Sequence, residues 1–122
     1  MAKFTITITE KTNSPASVVG DGLVSIDYGV EIIYTREMFT SQTSPPYLDL
    51  DGDPALNLKV VSLPLDGVLK LDGVAVIPGQ IIGFYLIDLG QLTYTPDNSN
   101  QDAYTASFEF QIADAGTGIF VG

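Results

Sequence analysis

The sequence contains no cysteine and no histidine, and basic residues are scarce. The lack of cysteine excludes disulfides and thiolate metal sites, although it does not fix the cellular compartment. The lack of histidine excludes imidazole bases, Ser-His triads and His-ligated zinc. Five Lys and Arg against fifteen Asp and Glu give a formal net charge of −10. This argues against binding to nucleic acid or to anionic membrane surfaces, and it is compatible with divalent cations or simply with a well-solvated acidic surface.

Long apolar runs are also missing, since none approaches the roughly 20 residues of a membrane helix. Met1-Ala2-Lys3-Phe4 leads directly into an alternating segment. A signal peptide would instead have a basic stretch followed by an apolar one. We therefore expect a soluble chain of 122 residues that forms one domain and carries no export signal of its own.

What the sequence does contain is apolar alternation with a period of two. Phe4, Ile6 and Ile8 alternate with threonine, which predicts a strand over 4–9. Similar patterns predict strands over 24–26, 30–34, 56–63, 68–71, 74–77, 91–95 and 104–113. Residues 36–39 are expected to form a short helical turn, and residues 80–89 a strand or a helical turn. The spacing predicts an all-β fold, an antiparallel two-sheet sandwich with about seven to nine short strands.

The Asp-Gly pairs at 66–67 and 72–73 allow two interpretations. They could be paired carboxylates for acid–base chemistry, but an Asp-Gly pair between two apolar runs is typical of a type I′ hairpin turn. We therefore interpret them as turns. Because no nucleophile stands beside a base and no cofactor motif is present, we expect the chain not to be an enzyme.

The order of motifs from Phe39 to Asp114 resembles the cadherin-like repeat of large bacterial adhesins, close to the chondroitin-sulfate-proteoglycan type. The motifs are Asp49-x-Asp51-Gly52-Asp53, Leu63-Pro64, Gly67-x-Leu69, Gly90-x-Leu92-x-Tyr94-x-Pro96 and Phe108-x-Phe110-Gln111-x-x-Asp114. The resemblance implies an immunoglobulin/cadherin-like Greek-key sandwich in which Phe39 anchors the core. Its repeat core would be 36–114, preceded by loosely matching strands in 1–35 and followed by an edge strand or tail in 115–122.

Asp49, Asp51 and Asp53 place oxygen ligands at alternate positions, as calcium coordination requires. The resemblance implies that Asp114 and Glu37 converge on this acidic loop to complete a Ca²⁺ site. The alternative interpretation is that the loop is only a polar turn. Beyond this Ca²⁺ we expect no cofactor.

Two segments are candidates for protein contacts. Tyr47 follows Pro45-Pro46, and an exposed tyrosine suits an interface because it buries a large ring while its hydroxyl stays hydrogen-bonded. Ile119, Phe120 and Val121 form an apolar run between two glycines. This run is either an edge strand added to a neighbouring subunit or the last strand of the chain's own sheet.

Taken together, these features favour a non-enzymatic structural protein. A lone sandwich without an export signal suits a multicopy bacteriophage virion component, a capsid decoration or head–tail accessory protein. Its partners would be copies of itself or other virion proteins. The alternative is an adhesion module of a large bacterial surface protein, stabilised by calcium; a carbohydrate-binding module, with a glycan as its partner, is the weaker third hypothesis.

Overall fold

The computed structural model describes residues 1–9, 13–97, 99 and 103–122. Within them the chain forms eight strands and two short helices. The strands are β1 (Ile32–Ile33), β2 (Ala55–Val60), β3 (Val68–Leu71), β4 (Val74–Ala75), β5 (Ile81–Gly83), β6 (Leu92–Thr95), β7 (Phe110–Asp114) and β8 (Phe120–Val121). The helices are α1 (Arg36–Phe39) and α2 (Phe84–Asp88).

The strands form two antiparallel four-stranded sheets. One has the order β1-β6-β3-β4 and the other β5-β2-β7-β8. This confirms the predicted all-β, two-sheet architecture, while the Greek-key connectivity stays a prediction. Among the described residues, no helix combines the length and the apolar content that crossing a membrane requires.

The core consists of apolar side chains contributed by both sheets and by both helices. The largest that are fully buried are Phe84, Leu58, Ile82, Ile87, Leu92, Ile112 and Val60. Phe39 is only 3% exposed and its ring contacts those of Phe84 and Phe110, which confirms it as a core anchor.

Strand β2 changes the side that it buries near its start, after Ala55. The pairing of β2 with β7 shifts register between Ala55 and Asn57. Such an irregularity inserts a residue and reverses which side chains face inward. Ala55, Leu58 and Val60 are therefore buried while Leu56 is 47% exposed. The alternation of Leu56, Leu58 and Val60 in the sequence would put all three on one face, but only Leu58 and Val60 are buried.

The hairpin predicted at Asp72-Gly73 is confirmed. Leu71 pairs with Val74 across the turn, and Asp72 and Gly73 have φ angles of 49° and 77°. Two successive positive φ angles are the requirement of a type I′ turn, which Asp-Gly meets at low cost.

Arg36 connects α1 to α2 and to the start of β2. Its guanidinium donates to the Asp88 carboxylate at 2.9 Å and to the Ala55 carbonyl at 2.7 Å, and it lies 5.0 Å from the centre of the Phe84 ring. Together with the buried Phe39, Arg36 thus holds the short α1 in place. The segment 80–89 divides into β5 and α2, so both of the structures considered for it are present.

Several predicted strands are missing or shortened among the described residues. Residues 4–9 and 24–26 form no strand, and β7 begins at Phe110 instead of Tyr104. The strand predicted over 30–34 is reduced to β1. Alternation supplies an apolar face, but a strand also needs a partner edge for its backbone hydrogen bonds, and these segments lack one in the single chain. Of the predicted polar loops 11–17 and 96–102, residues 11–12, 98 and 100–102 lie outside the described residues.

Candidate metal centre

The topology brings two distant acidic segments to one end of a sheet. The loop 49–53 leads into β2, and Asp114 ends β7. Because β2 and β7 are antiparallel, with Ala55 opposite Asp114, the loop before one strand meets the turn after the other. The Ala115 amide donates to the Pro54 carbonyl at 2.9 Å and joins the two segments.

Three carboxylates converge at this junction. Asp49, Asp53 and Asp114 each offer one oxygen, and these oxygens all lie within 4.8 Å of one another. Calcium binds oxygen at about 2.3–2.6 Å, so two ligands of one ion can be up to about 5 Å apart. The separation therefore fits three ligands around a single Ca²⁺.

Two of the carboxylates use one oxygen locally and leave the other unpartnered. Asp49 Oδ1 accepts from the amide of Asp51 at 2.9 Å, and Asp114 Oδ1 accepts from the amide of Thr117 at 2.9 Å and from its hydroxyl. The Oδ2 atoms of Asp49 and Asp114 are buried and accept no hydrogen bond from the described residues. Asp49 is 9% exposed and Asp114 is fully buried. Buried carboxylate oxygens in this state are costly unless a cation or a proton compensates them.

The electrostatics of Asp49 and Asp114 also favour a bound cation. Burial raises the pKa of Asp49, and its contact with Asp114 raises it further, against the lowering effect of the Asp51 and Asp53 amides. Burial is the largest single influence and acts to raise the pKa of Asp114, but hydrogen bonds from Thr117, with smaller contributions from Asp49 and Gly118, together lower that pKa overall. Burial therefore disfavours the doubly ionised pair, and a bound cation would relieve that penalty.

Tyr47 packs the acidic loop against the core. Its ring is half-buried on the core cluster, and its hydroxyl donates to the Asp53 carbonyl at 3.2 Å. Burial raises the pKa of Tyr47 to about 12, with smaller contributions from Asp49, Asp114 and Asp53. The structure therefore gives Tyr47 a role in positioning the loop, and its role as an interface residue stays a prediction.

Asn13 and Gly116 belong to the same neighbourhood and were missed from the sequence. A Cβ added to Gly116 would lie 2.1 Å from Asp53 Oδ2 and 3.4 Å from Asn13 Oδ1, so both oxygens surround one point. The Asn13 amide oxygen is thus a neutral candidate ligand. The amides of Ser17 and Val18 bond to the Leu48 carbonyl and hold this segment beside the loop. No local spacing signals such a contact.

The other predicted residues lie elsewhere. Among the described residues, Asp51 and Glu37 are not members of the carboxylate group. The Asp51 Oδ2 accepts from the Ser14 amide, and Glu37 is exposed on α1. The Ile119–Val121 run provides β8, which pairs with β7 at the edge of the chain's own sheet; whether a neighbouring subunit adds to it stays a prediction.

The arrangement can hold a hard cation and, through it, join three chain segments. Two basic side chains that could offset acidic charge are engaged elsewhere, Arg36 with Asp88 and Lys59 above the Phe120 ring.

No protein-family model matches the chain, and neither does any of the curated proteins or solved structures with which it was compared. The resemblance to cadherin-like repeats therefore stays a prediction.

Proposed function

We propose that the chain is a non-enzymatic structural module, a β-sandwich whose loop end is fastened by one bound Ca²⁺. The observation that carries the proposal is the pair of buried Oδ2 atoms of Asp49 and Asp114 within the three-carboxylate group. A divalent cation would neutralise the charge of these carboxylates and supply the missing partners. Oxygen ligands of this kind suit calcium, which accepts irregular geometry more readily than magnesium does.

The fastening would act on segments that are far apart in the sequence. Asp49 and Asp53 belong to the loop before β2, Asp114 ends β7, and the Asn13 amide lies beside them. An ion at their centre would lock the N-terminal segment and the end of the sandwich together. That is a structural role, since rigidity at a loop end is what a module under mechanical load needs.

We place this module in a multicopy assembly, with a bacteriophage virion component as the expected setting. Support for assembly comes from the surface. Leu23 and Leu65 are 95% and 100% exposed although the chain carries a net charge of −10. Large exposed apolar side chains on an otherwise well-solvated protein are typical of surfaces that contact other proteins.

Calorimetric titration of the chelator-treated chain with CaCl₂ tests the calcium site. We expect one Ca²⁺ per chain, weaker binding of Mg²⁺, and loss of binding in the isosteric variant Asp114→Asn. Asp72→Asn is the matched control, because it removes one carboxylate from an exposed turn whose positive φ asparagine tolerates. Absence of Ca²⁺ binding by the unaltered chain, or equal losses in both variants, would overturn the proposal.

A further inference from the structure

Three segments of the chain have the sequence of strands but are unpaired in the single molecule. They are residues 4–8, residues 24–26 and residues 104–108, and within the described part of the chain none of them belongs to a strand. In the first segment Phe4, Ile6 and Ile8 are 100%, 82% and 89% exposed. A segment that presents an entire apolar face to water and no partner to its backbone is suited to pair with another sheet edge.

The other two segments border an open groove of about 650 Å³. Residues 22–29 and 103–108 both line the groove, together with aromatic side chains that include Phe39 and Tyr94. Residues 103–108 lie just before β7 in the chain. The groove is therefore lined by two unpaired segments and by aromatic side chains of the core.

We propose that residues 4–8 of a second copy of this chain insert into the groove as an additional strand. Five residues in a strand span about 16 Å, and the unpaired segment 104–108 offers the same number of residues for pairing. Phe4, Ile6 and Ile8 would face the apolar side chains of the groove, while Thr5 and Thr7 would face solvent. Strand addition supplies backbone hydrogen bonds, and the alternate side chains determine specificity.

Local charge favours the same pairing. Lys3 is the single charged side chain in residues 1–9, whereas the whole chain has a net charge of −10 and Asp27 lines the groove. Two copies that each carry a net charge of −10 repel each other overall, so the complementarity is local: Lys3 of the inserted segment would lie near Asp27 and fix the direction of insertion.

The donor is a second copy because the chain's own segment lies outside its own groove. The side chains of residues 4, 6 and 8 are exposed while the groove is open in the same molecule. The segment that follows is fixed at the acidic end by the Ser14–Asp51 hydrogen bond and by the Val18–Leu48 pairing. This inference does not depend on calcium, because none of the groove residues named here belongs to the carboxylate group.

Light scattering on the full chain across a concentration series tests the proposal. We expect concentration-dependent association, weakened about 10- to 100-fold by Ile6→Asp, the factor expected for losing the burial of one large aliphatic side chain. Thr7→Asp introduces the same charge on the opposite face and should associate like the unaltered chain. On the groove side, Ala106→Arg should prevent association. Ala75→Arg, the same change on an exposed residue of β4, should not.

Mixing the two defective variants separates insertion from other modes of association. Ile6→Asp keeps its groove and Ala106→Arg keeps its N-terminal strand, so the mixture should form a one-to-one complex by native mass spectrometry. Hydrogen exchange should slow at residues 104–108 of the Ile6→Asp partner only. A monomeric unaltered chain at every concentration, equal behaviour of Ile6→Asp and Thr7→Asp, or a mixture that stays monomeric would each overturn the proposal.

Discussion

Replacing Gly116 by alanine should weaken calcium binding while leaving the fold intact. Gly116 has no positive φ that would make a side chain strained, and the obstacle is purely steric. The new Cβ would lie 2.1 Å from Asp53 Oδ2 and 2.9 Å from its Cγ. These atoms form the end of a side chain, so Asp53 can rotate away without moving the backbone. The rotation removes one of the three carboxylates from the site.

The size of the effect follows from the number of ligands lost. Changes to residues that only orient metal ligands cost about 10- to 100-fold in affinity, so displacing a ligand should cost at least about 10-fold. Calcium at 100 times the Kd stabilises a protein by about 2.7 kcal/mol, and at 10 times the Kd by about 1.4 kcal/mol. For a domain of this length, the calcium-induced rise in Tm should fall from about 8–16 °C to about 4–8 °C. Without calcium, the free energy of unfolding of the variant should lie within about 1 kcal/mol of that of the unaltered chain. Alanine reduces the conformational entropy of the unfolded chain, and this gain offsets the cost of moving the Asp53 side chain.

Thermal melting at one fixed calcium concentration, and again with chelator, measures both quantities. Gly73→Ala is the matched control. Gly73 has a φ of 77° with nothing within 4 Å of the added Cβ, so alanine there is strained but far from the site. It should lower Tm with and without calcium while keeping the full calcium-induced rise. If Gly116→Ala keeps the full rise, or loses stability equally with chelator, the placement of the ion beside Asp53 is refuted.

Two further predictions concern the sandwich itself. Leu58→Ala should reduce the free energy of unfolding by about 2–5 kcal/mol, because Leu58 is fully buried. Leu56→Ala, on the exposed side of the same strand, should cost well under half as much when both variants are measured by urea denaturation. Similar losses in the two variants would contradict the register shift in β2. The hydrogen bond from Arg36 is the main cause of the lowered pKa of Asp88. The Arg36–Asp88 pair should therefore stabilise the folded state at pH values above the unfolded-state pKa of about 3.9. This contribution should be lost as the pH falls through the lower pKa of the folded state. Because both side chains are partly exposed, the free energy of unfolding of Asp88→Asn should differ from that of the unaltered chain by less than about 1 kcal/mol near neutral pH. If this difference persisted at pH values below the folded-state pKa of Asp88, the assignment would be contradicted.

Local signals in the sequence were sufficient for the parts of the fold that short-range chemistry determines. The Asp72-Gly73 turn and the helical turn at Arg36–Phe39 were both predicted correctly from such signals, whereas the burial of Phe39 was inferred from the family resemblance. The register shift in β2 was not, because a run such as 55–60 looks equally alternating with either face inward. Which face is buried depends on the neighbouring strand β7 and cannot be determined from the run alone.

The candidate site divides in the same way. Spacing pointed to Asp49 and Asp53, but it could not show that Asp51 faces outward to the Ser14 amide, since the turn geometry decides which carboxylates point to the centre. Asp114 was reached only through the family resemblance, as its approach depends on the pairing of β2 with β7. The neighbours at positions 13 and 116 carried no signal, because an isolated asparagine or glycine is typical of any loop.

The junction of the β2 loop with the end of β7 has a consequence for the order of events in folding. The carboxylates of Asp49 and Asp114 meet only after β2 and β7 have paired, across a separation of more than half the chain. An ion that needs both would find no site in the unfolded chain, and we expect it to bind only after the rate-limiting step of folding. Calcium would then leave the folding rate nearly unchanged and slow unfolding. The junction would thereby determine the lifetime of the folded module rather than the speed at which it forms.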